Sequence, residues 1–249
     1  MTLRHRMLVG SRFPVVTVVL IGGCLAGFFV ELVLGRRLSD LLVHSGIPPD
    51  GLRAYFSGAG TFVNNALPFF SSLFLHGGFI HLLINISFLW VVGDVVEDVL
   101  GRARFVVLFL FGAAAELILR VGVSSQEAAQ VPSVGISGSV AALIGGYVVV
   151  LNWLGRSSGD AAITRATRLW LLLGVLAWFP LQYLNTVLSF RSNKGEPLTS
   201  QTVEPVCWLG LLAAFALGVF LVSVSGPRRA RTPSEAVAFP NEETAPLEA

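Results

Sequence analysis

The sequence predicts an all-α membrane protein, a bundle of six membrane-crossing helices. Three observations predict it. Only 13% of the 249 residues are charged, whereas a soluble domain carries about 25%. Hydrophobic residues make up 54% of the chain, and the mean hydropathy is +0.74. The apolar residues also come in runs close to the roughly 20 residues that cross a hydrocarbon core. So little charge cannot cover a water-facing surface, so lipid is the expected solvent.

The runs follow in order. Residues 1–13 carry Arg4, Arg6 and Arg12 and read as a cytoplasmic N-terminus. The first run, Pro14 to Leu34, is longer than the apolar core of a signal peptide and ends in Gly35-Arg36-Arg37, so it reads as a retained span. A loop over 35–75 follows. It mixes Gly and Pro with Phe56, Phe62, Phe69 and Phe70, a composition that predicts a position on the membrane surface. The second span is placed at Gly78 to Val95, and the third at Phe105 to Ile118, extending toward Val123. The fourth runs from Ser137 to Trp153 and the sixth from Val206 to Val224. The fifth, Leu169 to Phe190, contains Pro180 and is expected to kink there. The membrane domain thus covers 14–225. The polar segment 226–249 reads as a disordered tail. The arginine-bearing segments 1–13, 101–104, 156–168 and 226–231 fall on one side of this topology. Positive-inside counting therefore puts both termini in the cytoplasm. Short loops fit a bacterial plasma membrane.

Charge and cysteine usage exclude other classes. The net charge is +2 and Lys194 is the only lysine. The arginines are scattered over loops rather than gathered on one face, so no nucleic-acid partner is implied. Cys24 and Cys207 both sit in apolar runs, which argues against a disulfide framework or a metal site. His76 and His81 lack a third ligand of suitable type nearby, so no metal and no other cofactor is expected.

Polar residues at membrane depth are costly and default to a functional reading. His81 and Asn85 are four apart and share a helix face, with His76 about one turn earlier. As an isolated pair, His81 and Asn85 are better explained by hydrogen bonds that hold a bundle together. The fourth span opens Gly135-Ile136-Ser137-Gly138. Alone, that string is explained by capping and close packing. A glycine-rich turn entering a helix also offers free backbone N–H groups of the kind an oxyanion needs.

In this order the residues resemble the rhomboid intramembrane serine proteases, over about 70–225. The pattern His-x-x-x-x-His-x-x-x-Asn stands as His76, His81 and Asn85. The string from Gly93 to Arg102 is similar to the family's helix end after its second span. Gly135 to Gly138 opens the fourth span. Gly210, Ala214 and Gly218 look like the small-residue stripe against which that span packs. The resemblance implies a dyad buried in the membrane that cleaves transmembrane segments of other membrane proteins. Ser137 stands at the nucleophile position. His81 and Asn85 would hold the oxyanion, with His76, Gly135, Gly138 and Gly210 in support. The first loop would lie sideways in the bilayer, and the fifth span would be the side on which substrate enters.

One departure is severe. The resemblance places the general base three residues before Gly210, and Cys207 stands there. The four histidines, His5, His44, His76 and His81, all precede the third span, so the sixth holds none. A serine hydroxyl needs an adjacent base, and a thiol in apolar surroundings is a poor one. Ala141 also replaces an aromatic residue that would stack on the missing imidazole, and Leu67-Pro68 stand in place of a Trp-Arg pair. Three readings follow. The first is an inactive relative that keeps the fold and binds transmembrane segments. The second is an active serine protease with a rewired base, His81 or less aptly Glu204. The third is a scaffold or transporter using Glu31, Asp94, Glu97 and Glu116.

Overall fold

A computed structural model describes residues 13–34, 58, 67–76, 78–123, 135–157, 165–192 and 200–227. The N-terminal arm, most of the first loop and the tail lie outside the described residues. All regular structure among the described residues is helical. In chain order the helices are α1 (Val15–Leu34), α2 (Leu67–Ser72), α3 (Phe79–Leu100), α4 (Arg102–Val123), α5 (Ser137–Ser157), α6 (Arg165–Leu176), α7 (Trp178–Ser192) and α8 (Ser200–Ser225).

Many of these segments are rich in Val, a poor helix former in water. Lipid reverses that preference, because each backbone N–H and C=O must find a partner within the protein. The outward faces confirm the solvent. Phe29, Val33, Phe79, Ile80, Trp90, Phe111 and Phe220 are all exposed, a surface far too apolar for water. Three stretches are long and apolar enough to cross a membrane by length and composition: Val15–Leu34, Phe79–Leu100 and Trp208–Ser225. Ser137–Trp153 is a shorter apolar stretch. The all-helical membrane architecture thus matches the expectation, while the described helices supply three of the six expected spans by this measure.

The helix ends follow local chemistry. Gly101 closes α3 with its N–H on the Glu97 carbonyl at 2.8 Å, and its own carbonyl accepts from Phe105 N–H at 3.0 Å. Its φ of 80° lies in the left-handed region. One glycine therefore ends α3 and starts α4. The expected kink in the fifth span is present as a turn at Ala177 separating α6 from α7. Pro180 has no N–H to offer the carbonyl four residues back, at Leu176, where α6 ends.

Helix α5 is the axis of the bundle. Residues 138–147 are buried all round it. It packs most extensively on α8, then on α4 and α3, while α1 lies against α3. Small residues permit these close approaches. A Cβ on Gly218 of α8 would collide with the backbone of Ala142 on α5, and one on Gly145 would collide with Phe215. Ala214, between Gly210 and Gly218 on the α8 stripe, is fully buried. On the other side of α5, a Cβ on Gly112 of α4 would lie 2.5 Å from the Ala142 Cβ and 2.8 Å from the Gly138 carbonyl.

Buried acids finish the frame. Glu97 on α3 accepts from Val16 N–H at 3.0 Å, Thr17 N–H at 2.8 Å and the Thr17 hydroxyl at 2.9 Å. It thereby caps the first turn of α1, where backbone donors have no helical partner. Glu31 near the far end of α1 accepts the backbone N–H of His76. Both acids accept backbone N–H groups of the protein, which gives each a structural role.

Candidate functional site

The starts of α3 and α5 meet beneath the turn that follows α2. Gly135 donates its N–H to the Ser72 carbonyl at 2.9 Å, which ties the segment before α5 to the end of α2. Gly135 has φ +97°, and a Cβ there would lie 2.9 Å from His81 Cε1. Only glycine satisfies both the backbone angle and the approach of the imidazole. The Gly-x-Ser-Gly string is thus held against His81 by its first glycine. Ser139, two residues after Ser137, donates to the Phe109 carbonyl of α4 at 2.7 Å, fixing the rotation of the helix start.

His81 and Asn85 form one connected group on α3. His81 Nδ1–H donates to the His76 carbonyl at 2.7 Å. Asn85 donates through Nδ2 to the His81 carbonyl at 3.1 Å and accepts through Oδ1 from Gln182 Nε2 of α7, also at 3.1 Å. The His76 and His81 rings meet edge to face with centroids 5.6 Å apart. Burial first, and the neighbouring His81 second, push the His76 imidazole down to about 4. The ring is therefore neutral at physiological pH. With Nδ1–H of His81 committed to a carbonyl, its neutral ring keeps Nε2 as an acceptor and donates there only as imidazolium.

The Ser137 hydroxyl faces a different partner. It donates to Glu116 Oε2 of α4 at 3.4 Å, and the same oxygen accepts the Gly138 N–H at 3.1 Å. Among the described residues no hydrogen bond joins Ser137 to His81. Glu116 is only 6% exposed. It pairs with Arg120 one turn along α4 at 3.7 Å. Its side chain also lies against α8: a Cβ on Gly210 would be 3.0 Å from Glu116 Cγ. On the α5 side, a Cβ on Gly138 would be 2.7 Å from Glu116 Oε2. The carboxylate thus fills the junction of α4, α5 and α8. Cys207 lies on α8 one turn before Gly210, and its side chain falls outside the described residues, as does that of Glu204. Just after it, Trp208 stacks on Phe179 of α7 with centroids 6.3 Å apart.

The polar set at the start of the second span, the Ser137 loop and the stripe on the last helix thus sit on one intertwined scaffold. A rhomboid domain model matches residues 64–228, well over half of the chain. The chain belongs to the rhomboid family. Two relatives are similar over shorter stretches. The zebrafish (Danio rerio) presenilin-associated rhomboid-like protein A, mitochondrial, is 28% identical over 117 residues, 43% of this chain and 30% of that protein. The Bacillus subtilis (strain 168) protein provisionally named rhomboid protease YdcA is 32% identical over 79 residues, 32% of this chain and 38% of that protein. The chain spans about a third of the length of each of these relatives.

Rhomboid membership makes this an integral membrane protein resembling intramembrane proteases. Two side chains in the site escaped sequence reasoning. Glu116 was visible only as a lone acid in an apolar run, although its four-residue spacing from Gly112 and from Arg120 puts all three on one face. Gln182 carries no local signal at all, since it follows Pro180 in an aromatic stretch.

Proposed function

We propose that this rhomboid-family protein receives transmembrane segments of other membrane proteins beside Ser137 and does not cleave them by serine–histidine chemistry. One observation carries the reading. The acceptor for the Ser137 hydroxyl is a carboxylate, Glu116, and the chain has no histidine after His81. In this reading Ser137 is the nucleophile position, Cys207 stands where the base would be, and His81 and Asn85 are the remnants of an oxyanion site.

Further features support silence over a rewired base. Gly138 N–H is already spent on Glu116. One N–H of Asn85 is spent on the His81 carbonyl. His81 Nδ1–H is spent on the His76 carbonyl. An oxyanion is stabilised by donors that wait for it, and these donors are occupied.

The arginine distribution supports insertion with both termini on the cytoplasmic side, and the short loops fit a bacterial plasma membrane. The test of function uses the full chain in proteoliposomes with a model transmembrane substrate carrying a photo-crosslinker at mid-helix. The expected result is a crosslink to α3 or α7 with the substrate intact. Cleavage that disappears in Ser137→Ala would overturn the reading.

A further inference from the structure

Glu116 invites a question that a merely absent base does not. Gly210 of α8 comes against Glu116 of α4, and Glu116 in turn meets the start of α5 at Ser137 and Gly138. That junction is not vacant. Glu116 reaches into it from α4, buried, with Ser137 Oγ at 3.4 Å and Gly138 N at 3.1 Å from a single carboxylate oxygen. Gly138 and Gly210 leave just enough room for it, as a Cβ on either would press on the Glu116 side chain. Arg120 holds the other carboxylate oxygen at 3.7 Å. Three helices thus deliver a hydroxyl, a backbone N–H and a guanidinium to one acid, or leave space for it.

We propose that Glu116 is a second block, separate from the missing histidine: it occupies the space beside Ser137 that a proton acceptor from α8 would need. The proposal rests on the non-proteolytic reading above. The physical reason is competition for one site. A hydroxyl donates one hydrogen bond at a time, and the one donated to Glu116 is unavailable to an imidazole. A carboxylate that also accepts Gly138 N–H at 3.1 Å and pairs with Arg120 at 3.7 Å has further partners to give up before it leaves the junction. Glu116 is a positioning residue, acting through Ser137 and Gly138.

The consequence is that restoring a histidine alone does not restore a dyad. The experiment uses full-length protein in detergent micelles and a fluorophosphonate probe, which labels serines that have a working base. Four proteins are compared: wild type, Cys207→His, Cys207→His with Glu116→Ala, and Cys207→His with Glu116→Ser. The expected result is background labelling in the first two and a rise of about a hundredfold in the doubly substituted proteins, abolished by adding Ser137→Ala. Glu116→Ser provides a small polar alternative should alanine unsettle the junction. Strong labelling of Cys207→His with Glu116 intact overturns the proposal. So does background labelling of a double variant that elutes as a folded monodisperse species. Ser137-dependent labelling of the wild type would overturn both this proposal and the functional reading. Labelling of Cys207→His beside a silent wild type overturns only the proposal.

Discussion

Glu97 and Glu116 are both acids in apolar helices, and their partners distinguish their roles. Glu97 is bound by two backbone N–H groups and a hydroxyl from the first turn of α1. Each hydrogen bond to a charged group contributes about 1.5–3 kcal/mol. Glu97→Ala should therefore lower stability by about 2–4 kcal/mol, read as a shift of the unfolding midpoint in mixed micelles, and Thr17→Ala by about 1.5–3 kcal/mol. His76 gives a pH prediction. Its folded value is depressed to about 4 by burial and by His81, while the unfolded ring stays near 6.5. The unfolded state thus binds more protons between these values. The stability contribution is full above about 6.5 and is lost as pH falls from there toward 4. Unfolding midpoints at pH 7.5 and pH 5 should differ, and His76→Phe should remove most of the difference. Equal midpoints in the wild type would contradict the neutral buried ring.

At the scale of elements, close helix contacts set the sensitivity. Gly218 and Gly145 lie at the α5–α8 contact where no Cβ fits. Gly218→Leu should drive those helices apart and cost about 1–3 kcal/mol or more, whereas Gly22, with open space around it, should accept alanine with stability unchanged or slightly raised. Thermal unfolding of the two variants beside wild type separates them. A neutral Gly218→Leu would show that the stripe is not a packing surface. The same elements show what a sequence displays. Runs of apolar residues, Pro180 and the four-residue spacing of Gly210, Ala214 and Gly218 are periodic or local signals, and they located the helices and the break in the fifth span. Helix starts shifted where a turn decides them: α4 begins at Arg102 rather than near Phe105, because Gly101 closes one helix directly onto the next. Charged residues at that junction hid the first turn from a hydropathy reading.

At the scale of the molecule, the architecture was legible and the occupant of the site was not. His81, Asn85, Ser137 and Gly138 are recognisable through ordered spacings, so their placement near one another was expected. Nothing in one sequence tells which face of the third span meets the fourth, and so Glu116 was indistinguishable from a structural acid near a span end. Gln182 was hidden for the same reason, as its bond to Asn85 joins residues 97 positions apart. Among the described residues the Ser137 hydroxyl donates to Glu116 and to no histidine, and the proposed reading of a silent scaffold rests on that. Labelling of the wild-type chain by a fluorophosphonate in native membranes tests this most directly. The account predicts no signal at Ser137 above that of Ser137→Ala. A probe adduct mapped to Ser137 in the wild type would contradict it.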